Sequence, residues 1–260
     1  MPTGPQILCS AAAVATAAAV GLYGTFAPRS SLWGKVLWRA TGVSRPCVSL
    51  TFDDGPTADS TDRILDLLGE AGVRATFFVI GRNAATRPQL LERIFANGHI
   101  VANHSFDHSH FDLFRGWGYW NNQLLRTDDL IAEIIGKRPA MFRPPMGFVT
   151  PPIHHAARRR GKAVITWSRG ARDGIRSDAA AIIGRTVEST IPGDILMFHD
   201  GVDPHLRGAV DRAATIAALP KVLTGLRQRG LSPIRLDEML RIPAYADGAA
   251  LSASAARAVK

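Results

Sequence analysis

The sequence is poor in cysteine and aromatic residues, and its first 28 residues carry no charge. Cys9 and Cys47 are its two thiols, so there is no disulfide framework and no CxxC metal or redox site. Pairing between them is not expected, because Cys9 falls in the apolar N-terminal segment and Cys47 opens the first predicted strand. No zinc-finger spacing and no aromatic-rich basic stripe accompany the net charge of +9, so nucleic acid is not an expected partner. No internal repeat is evident, which removes solenoids from consideration. What is present, at 46% hydrophobic residues, can bury one substantial core with an appendage.

The appendage is N-terminal. Ile7–Ala27 is uncharged and Ala-rich, and matches the roughly 20 residues that span a bilayer. A signal peptide and a retained anchor both fit. No Lys or Arg precedes the run, whereas Arg29, Lys35 and Arg39 follow it. By the positive-inside rule that order would hold the remainder on the cytoplasmic side. Residues 1–28 are expected to form an apolar helix that contacts the membrane as a signal-anchor or transmembrane segment, followed by a linker over 29–43, with an extracytoplasmic domain whose orientation stays open. The cations are spread along the chain apart from Arg158-Arg159-Arg160 and Lys162. That group stands where a predicted helix ends, a place the helix dipole favours for positive charge. Anionic lipid headgroups or an acidic cell-wall polymer are natural counterparts for the surplus.

From Cys47 onward short β-rich runs alternate with amphipathic stretches. The pattern predicts strands at Cys47–Phe52, Thr76–Ile80, Ile100–Asn103, Ala140–Arg143, Ala163–Trp167, Ile195–His199 and Pro233–Leu236. Helices are predicted at Thr61–Ala71, Pro88–Asn97, Asn121–Ile135, Pro152–Arg160, Ser177–Thr190 and Ala209–Arg229. Gly72, Gly98, Gly136, Gly161 and Gly230 follow five of these, as C-capping glycines do. Strict alternation predicts a parallel α/β fold over 44–240, with a flexible tail at 241–260. In such folds the functional residues gather just beyond the strand C-termini.

Polar residues stand at those places. Thr51-Phe52-Asp53-Asp54-Gly55-Pro56 puts two adjacent carboxylates at the end of the first strand, aimed to opposite sides. One can hold a metal while the other accepts a proton, or the pair simply opens an Asx turn. His104 and His108, after the third strand, are spaced to reach one point. Two imidazoles and a carboxylate are a common ligand set for catalytic zinc, although surface or core histidines share that spacing. His110 and His99 nearby read as supporting or structural. Arg143 precedes Pro144-Pro145, a stiff turn that fixes where the guanidinium points. His199 closes an apolar strand with a pKa suited to acid–base work, and a satisfied core histidine is its plain alternative.

Taken together these residues resemble the polysaccharide deacetylases of carbohydrate esterase family 4, the NodB-homology domain. Thr51–Pro56 matches TFDDGP, His104–His108 matches H(S/T)xxH, Arg143–Gly147 is similar to RPPYG, and Leu196–His199 to LxIH. The likeness spans roughly Ser44 to Leu240. It implies a distorted (β/α)7 barrel and a metal-dependent hydrolase that removes N-acetyl groups from amino sugars of a poly- or oligosaccharide. It implies Asp54, His104 and His108 as ligands of one divalent metal: zinc by default, with cobalt, manganese or iron as alternatives. Asp53 becomes the general base, His199 the general acid, Arg143 the partner of Asp53, and the Met146 backbone the oxyanion donor. Met146 replaces the usual Tyr. The DxxDW motif is reduced to Gly170–Gly174, keeping only Asp173, which can serve Arg143 or His199, and its missing Trp removes an apolar wall. Two alternatives to the deacetylase reading are a deformylase or deacetylase of a lipid-linked amino sugar, and a catalytically silent glycan-binding domain.

Overall fold

The computed structural model describes residues 4–174, 177–205 and 211–246. Its centre is the strand β1 (Cys47–Asp53), buried at every position. It lies parallel between β2 (Thr76–Val79) and β7 (Ile195–His199). Although covered on both faces, β1 alternates apolar Val48, Leu50 and Phe52 with buried Ser49 and Thr51, and the Thr51 hydroxyl donates to the Leu196 carbonyl at 2.9 Å. The sheet continues through β3 (Ile100–Asn103), β4 (Met141–Phe142) and β5 (Ala163–Val164) on one side and β6 (Arg169–Gly170) on the other. A last short strand, β8 (Ser232–Pro233), pairs with the start of β1. All of these pairings are parallel, and among the described residues the sheet has eight strands.

Register brings the polar residues into one layer. Asp53 pairs with His199 across β1 and β7, and Asn103 pairs with Phe142 across β3 and β4, so His104 and Arg143 follow side by side. The core beneath this layer is dominated by Phe52, Phe77 and Phe198, whose stacked rings are 5.1 and 5.6 Å apart.

The eighth strand departs from the seven expected, and the reason is visible in the chain path. Ala163–Trp167 does not remain beside β4. It pairs there for two residues, then crosses to β7, where the Ser168 and Ala171 N–H groups donate to Ile195 and Met197 carbonyls. The opening it spans is lined by the segment expected as a linker. Leu37 bridges Ile165, Arg39 bridges Asp194, and the Ala40 N–H donates to the Gly193 carbonyl.

The helices are α1 (Gly4–Phe26), α2 (Ser60–Glu70), α3 (Gly81–Ala85), α4 (Pro88–Ala96), α5 (Trp117–Ile135), α6 (Pro151–Arg159), α7 (Ala179–Ile183), α8 (Ala213–Gln228) and α9 (Leu236–Leu240). Glycines 72, 98, 136, 161 and 230 all adopt the left-handed conformation expected of caps. α5 begins earlier than expected because Trp120, 1% exposed, anchors its first turn despite two flanking glycines. The predicted helix Ser177–Thr190 becomes α7 plus a π-turn at Gly184–Glu188. There Thr186 and Thr190 hydroxyls donate to the carbonyls four residues back, a pattern that distorts helices. The strand predicted at Pro233–Leu236 ends at Pro233, and Leu236 instead opens α9 with Asp237 and Glu238 in its first turn. The expected start of α8 at Ala209 lies outside the described residues, as does most of the tail.

α1 coincides with the proposed membrane segment Ile7–Ala27, and the side chains of its first turns lie outside the described residues. Among the described residues no helix is long and apolar enough to cross a membrane.

Candidate active site

β1 leads into two acids with different hydrogen-bond partners, although His104 Nε2 lies 4.0 Å from Asp53 Oδ2 and 3.5 Å from Asp54 Oδ1. Asp53 accepts a 2.6 Å hydrogen bond from Arg143 Nη1. That guanidinium is completely buried and also donates to Thr51 Oγ1 at 2.9 Å and to the Thr166 carbonyl at 3.0 Å. The rigid Pro144-Pro145 turn and Phe78, whose ring centroid is 4.0 Å from the guanidinium carbon, fix it there.

Asp54 has φ 72°, which swings its carboxylate towards the histidines. Its Oδ1 is 3.5 Å from His104 Nε2 and 3.4 Å from His108 Nε2, is buried, and has no hydrogen-bond partner. His104 Nδ1 lies 2.7 Å from the Arg143 carbonyl, so that nitrogen carries the proton and donates. Its Nε2 is left with a lone pair facing a carboxylate. His108 Nδ1 stands 3.0 Å from Asp203, close but poorly aligned for a hydrogen bond. Three electron-rich atoms thus converge within 4.8 Å of one another. Buried donors arranged this way fit a divalent cation. Burial opposes ionising Asp54, but His108, His104 and His199 overcome it and hold its carboxyl well below the ordinary range. Burial likewise opposes protonating His108, and Asp54 and Asp203 reverse that and push its pKa up.

On β7, His199 Nδ1 contacts Asp173 Oδ1 at 2.7 Å, and its own N–H donates to Asp173 Oδ2 at 3.1 Å. Thr215 Oγ1 donates to the same carboxylate at 2.7 Å. Asp173 therefore partners His199, not Arg143. Burial lowers the His199 pKa, and Asp173 with the more distant Asp54 and Asp53 more than reverses this, raising it from 6.5 to about 9. His199 Nε2 is 4.0 Å from Asp54 Oδ2.

Asp53, Asp54, His104, His108, His199 and Asp203 line a cleft of about 430 Å³ together with Met146, Trp167 and Met197. The apolar wall expected to be missing is present, supplied by Trp167 from the crossing segment after β5. Met146 has φ 58° and its N–H finds no acceptor among the described residues, whereas Gly147 and Phe148 N–H donate to Pro144 and Pro145 carbonyls. His99 is structural: Ala75 N–H donates to its Nδ1 at 3.0 Å, and burial with Arg74 and Arg235 pulls its pKa down to about 4.

Two supporting acids carried no sequence signal. Asp203 contacts both His108 and His110 and accepts from the His205 N–H at 2.8 Å. Asp200, fully buried, accepts from Thr61 Oγ1 at 2.6 Å beneath the Asp54-Gly55 turn. A desolvated carboxyl so close to Asp54 has its pKa raised to about 7. His199-Asp200-Gly201 reads as a strand followed by a turn, and only the fold reveals where its acid points.

A triad whose atoms could hold a cation, a separately held carboxylate and a His–Asp pair thus gather around one cleft. The chain belongs to the polysaccharide deacetylase family, the NodB-homology group of carbohydrate esterase family 4. The family description "Polysaccharide deacetylase" matches residues 40–165. A peptidoglycan-N-acetylglucosamine deacetylase of Bacillus cereus is 30% identical over 214 residues, 80% of this chain and 94% of that protein. A chitooligosaccharide deacetylase of Sinorhizobium fredii is 36% identical over 194 residues, 73% of this chain and 90% of its own length. The solved family 4 carbohydrate esterase of Streptomyces lividans, in complex with acetate, superposes with a TM-score of 0.65 at 31% identity, covering 72% of this chain and 91% of that one.

Proposed function

We propose that this enzyme hydrolyses the N-acetyl group of an amino sugar in a cell-wall or other surface glycan, releasing acetate and leaving a free amine. The observation that carries the reading is the separation of Asp53 from Asp54: one acid accepts from a buried arginine, the other faces the Nε2 atoms of two histidines. A divalent cation held by Asp54, His104 and His108, zinc by the donor set with cobalt, manganese or iron as alternatives, lowers the pKa of a water and polarises the amide carbonyl when bound.

The remaining work falls to the chain's own side chains. Asp53 takes the proton from the attacking water, and the hydrogen bond from Arg143 holds it aimed. The Met146 N–H donates to the carbonyl oxygen as that atom gains negative charge. His199, kept protonated by Asp173, passes its proton to the departing nitrogen. Trp167, Met146 and Met197 cover the acetyl group and exclude water from it. The enzyme acts outside the cytoplasm, held near the membrane by the segment Ile7–Ala27.

A lipid-linked amino sugar is the second reading, because the apolar cleft opens beside the N-terminal segment, with Pro28 packed near Gly147. The test is acetate and formate release by the full chain with zinc from chitooligosaccharide, peptidoglycan and lipid-linked N-acetyl and N-formyl sugars. Acetate from the glycans is expected, falling about 10²–10⁴-fold in Asp53→Asn. Formate from the lipid-linked sugar alone would select the second reading, and no release from metal-loaded protein would make this a silent binding domain.

A further inference from the structure

The exposed large hydrophobic side chains are not scattered. Among the described residues all except Ile191 belong to α1, to Leu32 just after it, to the loop Phe111–Trp117, or to Met146 at the cleft. These pieces, distant in sequence, meet in space around Phe148–Thr150 and α6. The Phe26 and Phe148 rings are 4.9 Å apart, and the Val149 N–H donates to the Thr25 carbonyl at 3.1 Å. Thr150 Oγ1 donates to the Leu113 carbonyl at 3.2 Å, and Trp117 packs on His155 at 5.9 Å. Phe111 is 92% exposed and Phe114 72%, and a patch of such side chains, unlike single ones, marks an interaction surface.

Charge follows the same face. Residues 1–52 and 134–172, which contact each other through Leu37 and Ile165, contain thirteen Lys or Arg and no Asp or Glu. Several of these cations are paired inside the domain, but Lys35, Arg158 and Arg159 are exposed, and Arg115, also exposed, stands between Phe114 and Trp117, its guanidinium over the Tyr119 ring and 3.6 Å from Asp112. The one acid of the loop, Asp112, is occupied by the Tyr119 hydroxyl at 2.7 Å.

We infer that this face docks on an anionic phospholipid surface, with Phe111, Phe114 and Trp117 entering the headgroup region and Lys35, Arg115, Arg158 and Arg159 meeting lipid phosphates. Aromatic side chains bordered by cations suit that interface. An acidic glycan would satisfy the cations and leave the protruding phenylalanines in water. With Met146 at its edge, the same face brings the cleft mouth to the membrane, whatever the substrate.

The test uses the full chain with vesicles of phosphatidylglycerol and phosphatidylcholine carrying brominated acyl chains, which quench tryptophan on contact. Quenching is expected, and its difference between the wild-type chain and Trp117→Phe isolates Trp117 from the other indoles. The combined Arg115→Glu, Arg158→Glu and Arg159→Glu variant should reduce that difference at least twofold, as should vesicles of phosphatidylcholine alone. Phe111→Ser with Phe114→Ser, at positions too exposed to affect folding, should do the same. A Trp117 signal absent in wild type, or unaltered by these changes, overturns the inference, since it means that the domain hangs free of the bilayer. Stronger retention of the chain by a soluble polyanion than by the vesicles overturns it in favour of a glycan. Acetate release is not measured, so these results stand apart from the catalytic reading.

Discussion

Burial and the carboxylate of Asp173 act on the His199 imidazole in opposite directions, and the carboxylate prevails. The sign has consequences. With a folded pKa of about 9 against 6.5, the folded protein holds this proton more tightly than the unfolded chain. The resulting stabilisation is complete below the lower value and is lost as pH rises through the upper one. As general acid, His199 stays protonated across neutrality, and its deprotonation should make the rate fall on the alkaline side. Asp173→Asn removes the support but leaves the burial, so the alkaline limb of the pH–rate profile should move to lower pH with kcat reduced. An unmoved limb would show that another group sets it. Asp203 acts on His108 rather than on the reacting atoms, and Asp203→Asn should weaken zinc binding roughly 10–100-fold by chelator competition, as loss of a carboxylate behind a ligating imidazole does. Every residue expected at the site lines the cleft or, like Arg143 and Asp173, directly braces one that does. Asp203, Asp200 and Trp167 were invisible beforehand because isolated acids and aromatics after a strand look the same whether they face the site or solvent. Arg143 was recognisable because two prolines restrict where it can point.

At the scale of elements, the pairing of Asp53 with His199 depends on β1 and β7 remaining in register. Gly201 secures this by close approach: a Cβ there would lie 2.0 Å from the Asp54 carbonyl oxygen. Gly201→Ala therefore has to displace the end of β1, and should cost about 1–3 kcal/mol in chemical denaturation while weakening metal binding at the displaced Asp54. Full stability and affinity would mean that the strand end is more adaptable than its packing indicates. The long central strands and the capped helices were legible because periodicity and left-handed glycines are local. The crossing from β5 to β6 was not, because a stretch with uniform strand character gives no sign that its partner changes midway. Nor did the 29–43 segment announce its place in the wall, since single bridges leave no periodic trace.

For the whole molecule, cation binding and folding are linked. Asp54, His104 and His108 come from the ends of β1 and β3, so only the folded chain presents all three together. Free zinc at a hundred times its dissociation constant should stabilise the fold by about 2.7 kcal/mol, and chelation should lower Tm accordingly. An unchanged Tm on removing zinc would place the metal elsewhere. The most direct measurement takes wild type, Asp53→Asn and Asp54→Asn, and determines both bound zinc and acetate release from an N-acetylated glycan. The expected result is zinc retained and turnover lost in Asp53→Asn, with both lost in Asp54→Asn. Equal zinc loss in the two variants, or turnover surviving in Asp53→Asn, would contradict the division of labour between the adjacent acids.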